Sequence, residues 1–454
     1  MKIIIVGDGK VGSALARQLS GEGHDLTIID SDPRVLGQSA DQLDVMVVNG
    51  NGATMHTLKE AGADRADILI AATSRDELNL LTCLTAKRLG ATHTIARIRN
   101  PEYADQLIEM RDELGLSLTV NPESSAAQEA YQLLQFPSFL KRESFAKGRV
   151  EIVALPVEKD SQLCGIAMHQ LYDIARVNVL VCVVERGDEV YIPDGTFTLR
   201  EGDTIYVTAA LDSLAKLVKN LGLVEHKVKN LLIIGGSRIA LQLAARCLKG
   251  GIAVKIIEQR HERAVELAEL LPAATIIEAD GSLQDVLEEE GIRSYDAVAT
   301  LTGIDEENLV LSMLASNIGV SKVITKIDRI RYPEVFRQSE IGSVINPKDI
   351  CCANIVRYVR AMSTATASDA MITLHPIADG KAEAIEFRAS EKTRYLDVPL
   401  KDVPLKSGIL IACITHQGRT IIPRGDSRFY PDDTLIVVTS GGRTVSDLAD
   451  IFAD

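Results

Sequence analysis

Short apolar runs alternate with helix-periodic segments over much of the chain. Residues 3–6 (IIIV) are fully apolar and lead into a glycine-rich turn, after which residues 13–19 carry apolar side chains at helical spacing. This alternation predicts the βαβ order of a doubly wound parallel sheet. Residues 150–210 and 382–440 instead show short alternating strands between Gly, Pro and Asp turns, which favours small, mainly antiparallel α+β domains.

The chain also repeats itself. The segment KIIIVGDGKVG at 2–12 corresponds to NLLIIGGSRIA at 230–240, and ILIAATSRDELN at 68–79 corresponds to AVATLTGIDEEN at 297–308. Matches at a nearly fixed offset indicate a tandem duplication. We therefore predict an α/β protein with two Rossmann-like, doubly wound parallel-sheet domains, each followed by a small α+β domain. The predicted domains span 1–124, 143–227, 230–348 and 368–454.

Some of the predicted helices bear on the small domains and on assembly. Each α+β domain is expected to close on a helix, at 213–221 in the first copy and at 444–452 in the second. The helix predicted at 77–89 has leucines on one side, which favours either a contact between subunits or packing in the core. These leucines are Leu80, Leu81 and Leu84.

The first glycine turn carries the chemistry of a dinucleotide site. Gly7, Gly9 and Gly12 form a GxGxxG pattern between a predicted strand and a predicted helix. The first glycine permits the tight turn, the second lets a diphosphate approach the positive end of the helix, and the third lets the helix pack closely on the sheet. Asp30 ends the next strand, where a carboxylate binds the ribose hydroxyls and disfavours the 2′-phosphate of NADPH. The residues between the glycines, Asp8, Lys10 and Val11, complete this candidate site.

The second glycine turn is a degenerate copy of the first. Ser237 replaces the middle glycine, and its Cβ makes the approach of a diphosphate less favourable, while Ala240 replaces the third glycine. Glu258 keeps the acidic ribose partner. Both a second nucleotide site and a purely structural copy fit this pattern. The candidate residues are Gly235, Gly236, Ser237, Arg238, Ile239 and Glu258.

Further candidates fall where predicted parallel strands end, which is the edge that lines a ligand crevice. Thr73 and Ser74 follow the fourth strand, with capping of the next helix as the alternative. Arg97 ends another strand, where it either reaches a phosphate or is a surface charge, and Lys326 holds the matching place in the second copy. Asn51 either faces the adenosine or serves as a turn residue.

Composition narrows the function classes. The chain of 454 residues has a net charge of -14, 4% aromatic residues and no Trp, which argues against nucleic acid as a partner and against direct attachment to an anionic membrane. No run approaches the roughly 18 apolar residues of a membrane span. Seven Cys without a CxxC motif and a strand-like N-terminus favour a cytoplasmic protein with no direct membrane insertion.

The sequence presents no recognisable catalytic motif. The eight His are scattered, and no metal-ligand spacing, P-loop lysine or GxSxG motif occurs. An NAD-dependent dehydrogenase needs a proton donor or acceptor beside the nicotinamide, so a non-catalytic sensor is favoured. Two alternatives stay open, namely an NADH-dependent oxidoreductase of a small substrate and a scaffold whose nucleotide sites are relics.

With these motifs the chain resembles the tandem RCK-domain proteins (regulators of potassium conductance). The resemblance in the first half rests on IIIVGDGKVGSALARQL, LTIIDSD, VVNGNGA, ILIAATSRDELNLLTCLTAKRLG and IARIRNPEY. In the α+β sections it rests on IPDGTFTLREGDTIYV and IPRGDSRFYPDDTLIVV, and it covers essentially the full length. Ser237 and Ala240 depart from the family pattern and leave the occupancy of the second site open.

The resemblance implies a function for the chain. Proteins of this kind are peripheral cytoplasmic subunits that regulate a TrkH- or TrkG-type membrane potassium transporter, with NAD and NADH, and also ATP or ADP, as ligands. They form homo-oligomeric rings, here expected to contain four chains, on the inner membrane. We therefore expect a regulatory subunit, not an enzyme, in which nucleotide binding changes the angle between lobes and the ring transmits that change.

Overall fold

The computed structural model is organised around four sheets. In the part of the chain that the structure describes, two six-stranded sheets alternate with two five-stranded sheets. Within the same part, no helix combines the length and the apolar character that crossing a bilayer demands. The described residues are 1–100, 102–135, 139–145, 149–222, 227–329, 342–364, 371–440, 445 and 447–453.

The first α/β lobe is a doubly wound parallel sheet. Its elements are β1 (Lys2–Val6), α1 (Lys10–Gly21), β2 (Asp25–Asp30), α2 (Pro33–Gln42), β3 (Met46–Asn49), α3 (Met55–Glu60), β4 (Ile68–Ala71), α4 (Asp76–Leu89), β5 (His93–Arg97), α5 (Glu102–Glu109) and β6 (Leu118–Val120). The strands lie in the order β3-β2-β1-β4-β5-β6. All residues of β4 are buried, because helices cover both faces of the sheet. The strand order reverses between β1 and β4, so a crevice opens at the carboxyl ends of these two strands.

A small antiparallel lobe follows. Its elements, after α6 (Pro122–Gln135), are β7 (Lys141–Phe145), β8 (Val150–Pro156), α7 (Leu171–Ala175), β9 (Val179–Arg186), β10 (Glu189–Tyr191), β11 (Thr204–Ala210) and α8 (Leu211–Asn220). The strand order is β10-β9-β11-β8-β7. The buried carboxylate of Asp203 accepts two hydrogen bonds from Arg186, at 2.7 and 2.8 Å. This ion pair fixes the acidic turn before β11 to the end of β9.

The second α/β lobe has the same topology as the first. Its elements are β12 (Asn230–Ile234), α9 (Arg238–Lys249), β13 (Ala253–Glu258), α10 (His261–Leu270), β14 (Thr275–Glu278), α11 (Gln284–Glu289), β15 (Ala297–Thr300), α12 (Asp305–Asn317), β16 (Lys322–Lys326) and β17 (Ser343–Ile345). The strands lie in the order β14-β13-β12-β15-β16-β17. The predicted pair of Rossmann-like parallel sheets is therefore confirmed.

A second antiparallel lobe ends the chain, after α13 (Pro347–Thr364). Its strands are β18 (Met371–Ile377), β19 (Ala382–Arg388), β20 (Ile409–His416), β21 (Arg419–Ile421) and β22 (Thr434–Ser440), in the order β18-β19-β22-β20-β21. The helix predicted at 444–452 was wrong in type, since its described residues form the 3-10 helix Leu448–Ile451. Asp447 caps this helix, and Phe452 leaves it to pair with Leu405, so it ends after one turn.

Helices α6 and α13 cross over between the two α/β lobes. Ala126, Ala130 and Leu133 of α6 belong to the core of the second lobe, where α6 packs against α9. In exchange, α13 packs against α1 and adds Ile355 and Val359 to the core of the first lobe. Because each fully buried aliphatic side chain contributes about 1.5–3 kcal/mol, this exchange stabilises the contact between the two repeats.

The two antiparallel lobes also share a core. Ile152 and Val183 of the first lobe lie in one buried cluster with Ala384 and Val438 of the second. The thiols of Cys182 and Cys413 belong to the same cluster, and burial raises the pKa of each to about 12. These thiols therefore stay protonated and act as packing groups, as expected for reduced structural cysteines.

Helix α4 leaves part of its apolar side on the surface. Leu80 packs partly against the core, whereas the side chains of Leu81 and Leu84 are exposed. Packing within the lobe thus accounts for only one of the three leucines. The predicted contact between subunits stays a prediction for the other two.

Lys322, at the start of β16, ties the segment after α6 to the second sheet. Its buried amine donates hydrogen bonds to the Phe139 carbonyl at 2.6 Å and to Ser343 Oγ at 2.8 Å. Ser343 Oγ in turn donates to the Leu140 carbonyl at 3.0 Å. Burial lowers the pKa of Lys322 from 10.5 to about 7.

We expect the stability of the chain to rise with pH above neutrality because of Lys322. The unfolded chain binds a proton at this amine up to its ordinary pKa, whereas the folded chain releases it near pH 7, so unfolding takes up a proton between these values. The expected slope is up to about 1.4 kcal/mol per pH unit. Urea unfolding at pH 7 and pH 8 measures it. Lys322→Met should reduce the pH dependence of the unfolding free energy, whereas Lys229→Met, at an exposed position, should leave it unchanged. An unchanged slope in Lys322→Met would show that Lys322 is not its source.

Candidate functional site

Three glycines shape the first turn for different reasons. Gly7 has a φ of 97°, and a Cβ there would lie 2.9 Å from the Thr73 amide nitrogen. A Cβ on Gly12 would lie 1.8 Å from the Gly7 carbonyl oxygen, so this position holds α1 against the turn. Gly9 is the N-cap of α1, has ordinary extended backbone and has no atom within 4 Å of its Cβ position. Packing therefore does not require a glycine at this position. The absence of a side chain instead lets a ligand approach the backbone closely.

The carboxylate of Asp30 lies beside this turn. Its Oδ2 accepts a hydrogen bond from the Asp8 amide at 2.7 Å, and its Oδ1 accepts one from the Asp32 amide at 2.9 Å. The side chain of Asp8 does not line the crevice, although the sequence placed it in the site. It is buried, accepts a hydrogen bond from Ser39 Oγ at 2.6 Å, and has its pKa raised by burial. Asp8 therefore fixes the turn to α2 and contributes to the site only through its backbone.

Asn79 holds two other parts of the site together. Its Oδ1 accepts hydrogen bonds from the Thr73 amide and hydroxyl at 2.9 and 2.6 Å, and its Nδ2 donates to the Thr73 and Arg97 carbonyls at 3.2 and 2.8 Å. The N-cap of α4 is Arg75, so neither Thr73 nor Ser74 caps that helix. Asn79 was not predicted from the sequence, although it positions Thr73 and Arg97, which line the cavity. The available signal was its recurrence as Asn308, which makes the equivalent hydrogen bonds to Thr302 and Lys326 in the second repeat.

A cavity of about 980 Å³ lies over the first turn and extends to the second repeat. Among the described residues that line it, seven are basic and three are acidic, although the whole chain carries a net charge of -14. The basic residues are Lys10, Arg75, Arg97, Arg99, Arg238, Lys326 and Lys348. Such a local excess of positive charge in a concave site favours an anionic ligand.

Arg97 lines this cavity and is partly buried. Its Nε is buried and has no hydrogen-bond partner among the described residues, and burial lowers the pKa of the guanidinium. The neighbouring Arg99 is engaged, since its Nε donates to Glu123 Oε1 at 2.7 Å. Arg97 is thus not a plain surface charge. Arg97 lines the same cavity as Gly9 and Asp30, where the charge of its guanidinium suits the phosphates of a nucleotide.

Residues of the second repeat form the far wall of the cavity. Asp328 Oδ2 lies 3.4 Å from Lys10 Nζ and 3.4 Å from Lys326 Nζ, so one carboxylate bridges the two repeats. Arg238, at the start of α9, lines the same cavity. Lys326 therefore lies at the first site, whereas the sequence assigned it to the second.

The predicted residues fall into two groups, those that line the cavity and those that lie outside it. Asn51 lines the cavity and also serves as a turn residue, because its Oδ1 accepts a hydrogen bond from the Ala53 amide at 3.0 Å. The predicted residues that line the cavity are Gly7, Gly9, Lys10, Val11, Asp30, Asn51, Thr73, Ser74, Arg97, Ser237, Arg238 and Ile239. Those that lie outside it are Asp8, Gly12, Gly235, Gly236 and Glu258.

Comparison with protein families identifies the repeat units. The TrkA-N domain matches residues 3–122 and 231–347, and the TrkA-C domain matches residues 152–222 and 384–453. The chain belongs to the TrkA family. This result confirms the resemblance drawn from the tandem motifs, since each copy of the duplication carries one domain of each kind.

Relatives in the TrkA family match nearly the whole chain. "Trk system potassium uptake protein TrkA homolog 1" of Methanosarcina mazei is 34% identical over 446 residues, which cover 96% of this chain and 97% of the relative. "Trk system potassium uptake protein TrkA" of Vibrio alginolyticus is 30% identical over 459 residues, which cover 100% of this chain and 98% of the relative.

Solved structures share the fold at lower identity. "Crystal Structure of the GsuK RCK domain" has a TM-score of 0.62 at 16% identity, and the match covers 97% of this chain and 92% of that one. "GsuK channel bound to NAD" has a TM-score of 0.61 at 17% identity, and the match covers 97% of this chain and 76% of that one.

Proposed function

We propose that this chain is a non-catalytic, nucleotide-responsive regulatory subunit of a Trk-type potassium uptake system. Relatives named Trk system potassium uptake protein match this chain over almost its full length and over almost the full length of their own chains. As such a subunit it works at the cytoplasmic face of the membrane, held there by a potassium transporter, in a homo-oligomeric ring. The observation that carries the nucleotide part is the basic cavity between the repeats, whose lining includes Asp30 and Arg97.

The proposed ligand is an adenine nucleotide that contains a diphosphate. Asp30 is suited to the ribose hydroxyls, and the open position at Gly9 leaves the amino end of α1 accessible to the diphosphate. Arg97 and Lys10 are suited to the phosphate charge. NAD, NADH, ADP and ATP share these groups. NADPH is disfavoured, because its 2′-phosphate would meet the Asp30 carboxylate.

Regulation follows from the position of the cavity between the repeats. Asp328 forms ion pairs with both Lys10 of the first repeat and Lys326 of the second. Phosphates that enter between them compete for the same cations and so alter the contact between the α/β lobes. A ligand shifts a conformational equilibrium only by its difference in affinity for the two states, typically about 1–3 kcal/mol of coupling. This difference in affinity should be compared between NAD and NADH, and between ATP and ADP.

Rubidium uptake into proteoliposomes that contain a Trk-type transporter tests the proposal. We expect the full-length chain to change the flux, and ADP, ATP, NAD or NADH to modulate that change. Arg97→Met should weaken nucleotide affinity by about tenfold, because one charge-assisted hydrogen bond contributes about 1.5 kcal/mol or more. Arg88→Met, on the exposed side of α4, is the matched control and should behave as wild type.

Three results would each contradict the proposal. A flux that is the same with and without the chain removes the regulatory role. Steady consumption of NADH by the purified chain with a small carbonyl substrate favours the alternative, an oxidoreductase. A chain that binds no adenine nucleotide at all leaves only the scaffold interpretation.

A further inference from the structure

The crevice of the second α/β lobe is bridged where an adenosine would lie. Gln259 follows β13, and its Nε2 donates a hydrogen bond to Asp280 Oδ2, which follows β14, at 3.2 Å. Beside this contact in sequence, His261 Nδ1 at the start of α10 lies 2.7 Å from Glu278 Oε2 at the end of β14. The first contact joins the segments that follow the neighbouring strands β13 and β14, and the second joins α10 to the end of β14.

The first repeat has no such bridge among its described residues at the matching positions. Ser31 and Asn51 correspond to Gln259 and Asp280 and both line the cavity. The Asn51 Oδ1 is turned to the Ala53 amide instead of crossing the groove. The adenosine end is therefore open in the first repeat and closed by side chains in the second.

The second glycine turn is also engaged by its own lobe. Arg263 Nε donates to the Gly236 carbonyl at 2.6 Å, and a Cβ on Gly236 would lie 2.5 Å from Leu267 and 2.7 Å from Glu258 Oε2. The Ser237 hydroxyl caps its own helix by accepting from the Ala240 amide at 3.3 Å. By contrast, Gly9 leaves the amino end of α1 with no side-chain cap.

The later part of the second glycine turn faces the first site. Ser237, Arg238 and Ile239 line the shared cavity, whereas Glu258 does not. We infer that the second repeat holds no nucleotide of its own, and that its glycine turn instead forms the phosphate-facing wall of the first site. One adenine nucleotide then binds per chain, between two helix amino ends that belong to different repeats. This inference rests on the proposed nucleotide binding and specifies its stoichiometry and location.

Calorimetric titration of the full-length chain with ADP tests the inference. We expect about one ADP per chain. Asp30→Asn should weaken the affinity by about tenfold or more, whereas Glu258→Gln should change it by less than about twofold. Two ADP per chain, or a single site that is sensitive to Glu258→Gln and insensitive to Asp30→Asn, would overturn the inference. No ADP binding at all would instead remove the proposed function on which the inference rests.

Photolabelling locates the adenine without any substitution, in case Glu258→Gln does not fold. With 8-azido-ADP, irradiation of the wild-type chain and peptide mapping should find the label in residues 30–54. Label in residues 258–283 would overturn the inference, since this segment contains the bridged crevice. Excess ADP during irradiation is the control, and it should abolish the label in residues 30–54.

Discussion

Replacing Gly9 by valine is expected to lower the affinity for ADP by about 100-fold or more while the chain stays folded. Gly9 lines the cavity, and nothing lies within 4 Å of its Cβ position, so an added side chain enters the space over the amino end of α1. Backbone donors that bind a charged phosphate contribute about 1.5–3 kcal/mol each, and blocking two of them accounts for the loss. Calorimetric titration with ADP measures the affinity.

The folded state should tolerate Gly9→Val because its backbone at this position is extended, with φ of -76°. Valine is a weaker N-cap than glycine, which costs on the order of 1 kcal/mol. Gly303→Val is the matched control, since Gly303 also has no atom within 4 Å of its Cβ position but lies outside the cavity. If Gly9→Val bound ADP as wild type does, the phosphates would not lie at this turn.

Local chemistry allowed the glycine turn and the acidic residue of the first candidate site to be predicted. The turn glycines and Asp30 can be recognised from their spacing, because a strand, a tight turn and a helix allow few arrangements of these residues. Asn79 escaped detection, since a buried amide that bonds to backbone groups on two strands has no local pattern. Only its repetition as Asn308 marks it.

The composite character of the site was not predictable from periodicity. Helices α6 and α13 have apolar faces, but a helical period does not say which sheet a face covers. The exchange of these helices brings the repeats together and places Arg238 and Lys326 at the first site. The sequence assigned both residues to their own repeat, because the offset between copies reports homology and not proximity. The proposed nucleotide site and the contact between the repeats thus share the same residues.

Gly12→Ala is expected to destabilise the first α/β lobe by about 4 kcal/mol, at the upper end of the range for single substitutions. Helix propensity alone favours alanine over glycine by about 1 kcal/mol, so the sign of the effect decides between propensity and packing. Packing prevails because the new Cβ would lie 1.8 Å from the Gly7 carbonyl oxygen, which forces α1 away from the turn. Hydrogen exchange of residues 2–21 localises the loss, and scanning calorimetry should show a transition about 8–16 °C lower.

The second repeat supplies the matched reverse substitution. Ala240 occupies the position of Gly12 there and is fully buried, so the second turn already accommodates a Cβ. Ala240→Gly should therefore cost only about 1 kcal/mol, from helix propensity and a small loss of packing. If Gly12→Ala were as mild as Ala240→Gly, the close contact between α1 and Gly7 would not limit the stability of the lobe. The difference between the two variants isolates that contact, because both exchange the same methyl group at equivalent positions of one duplicated fold.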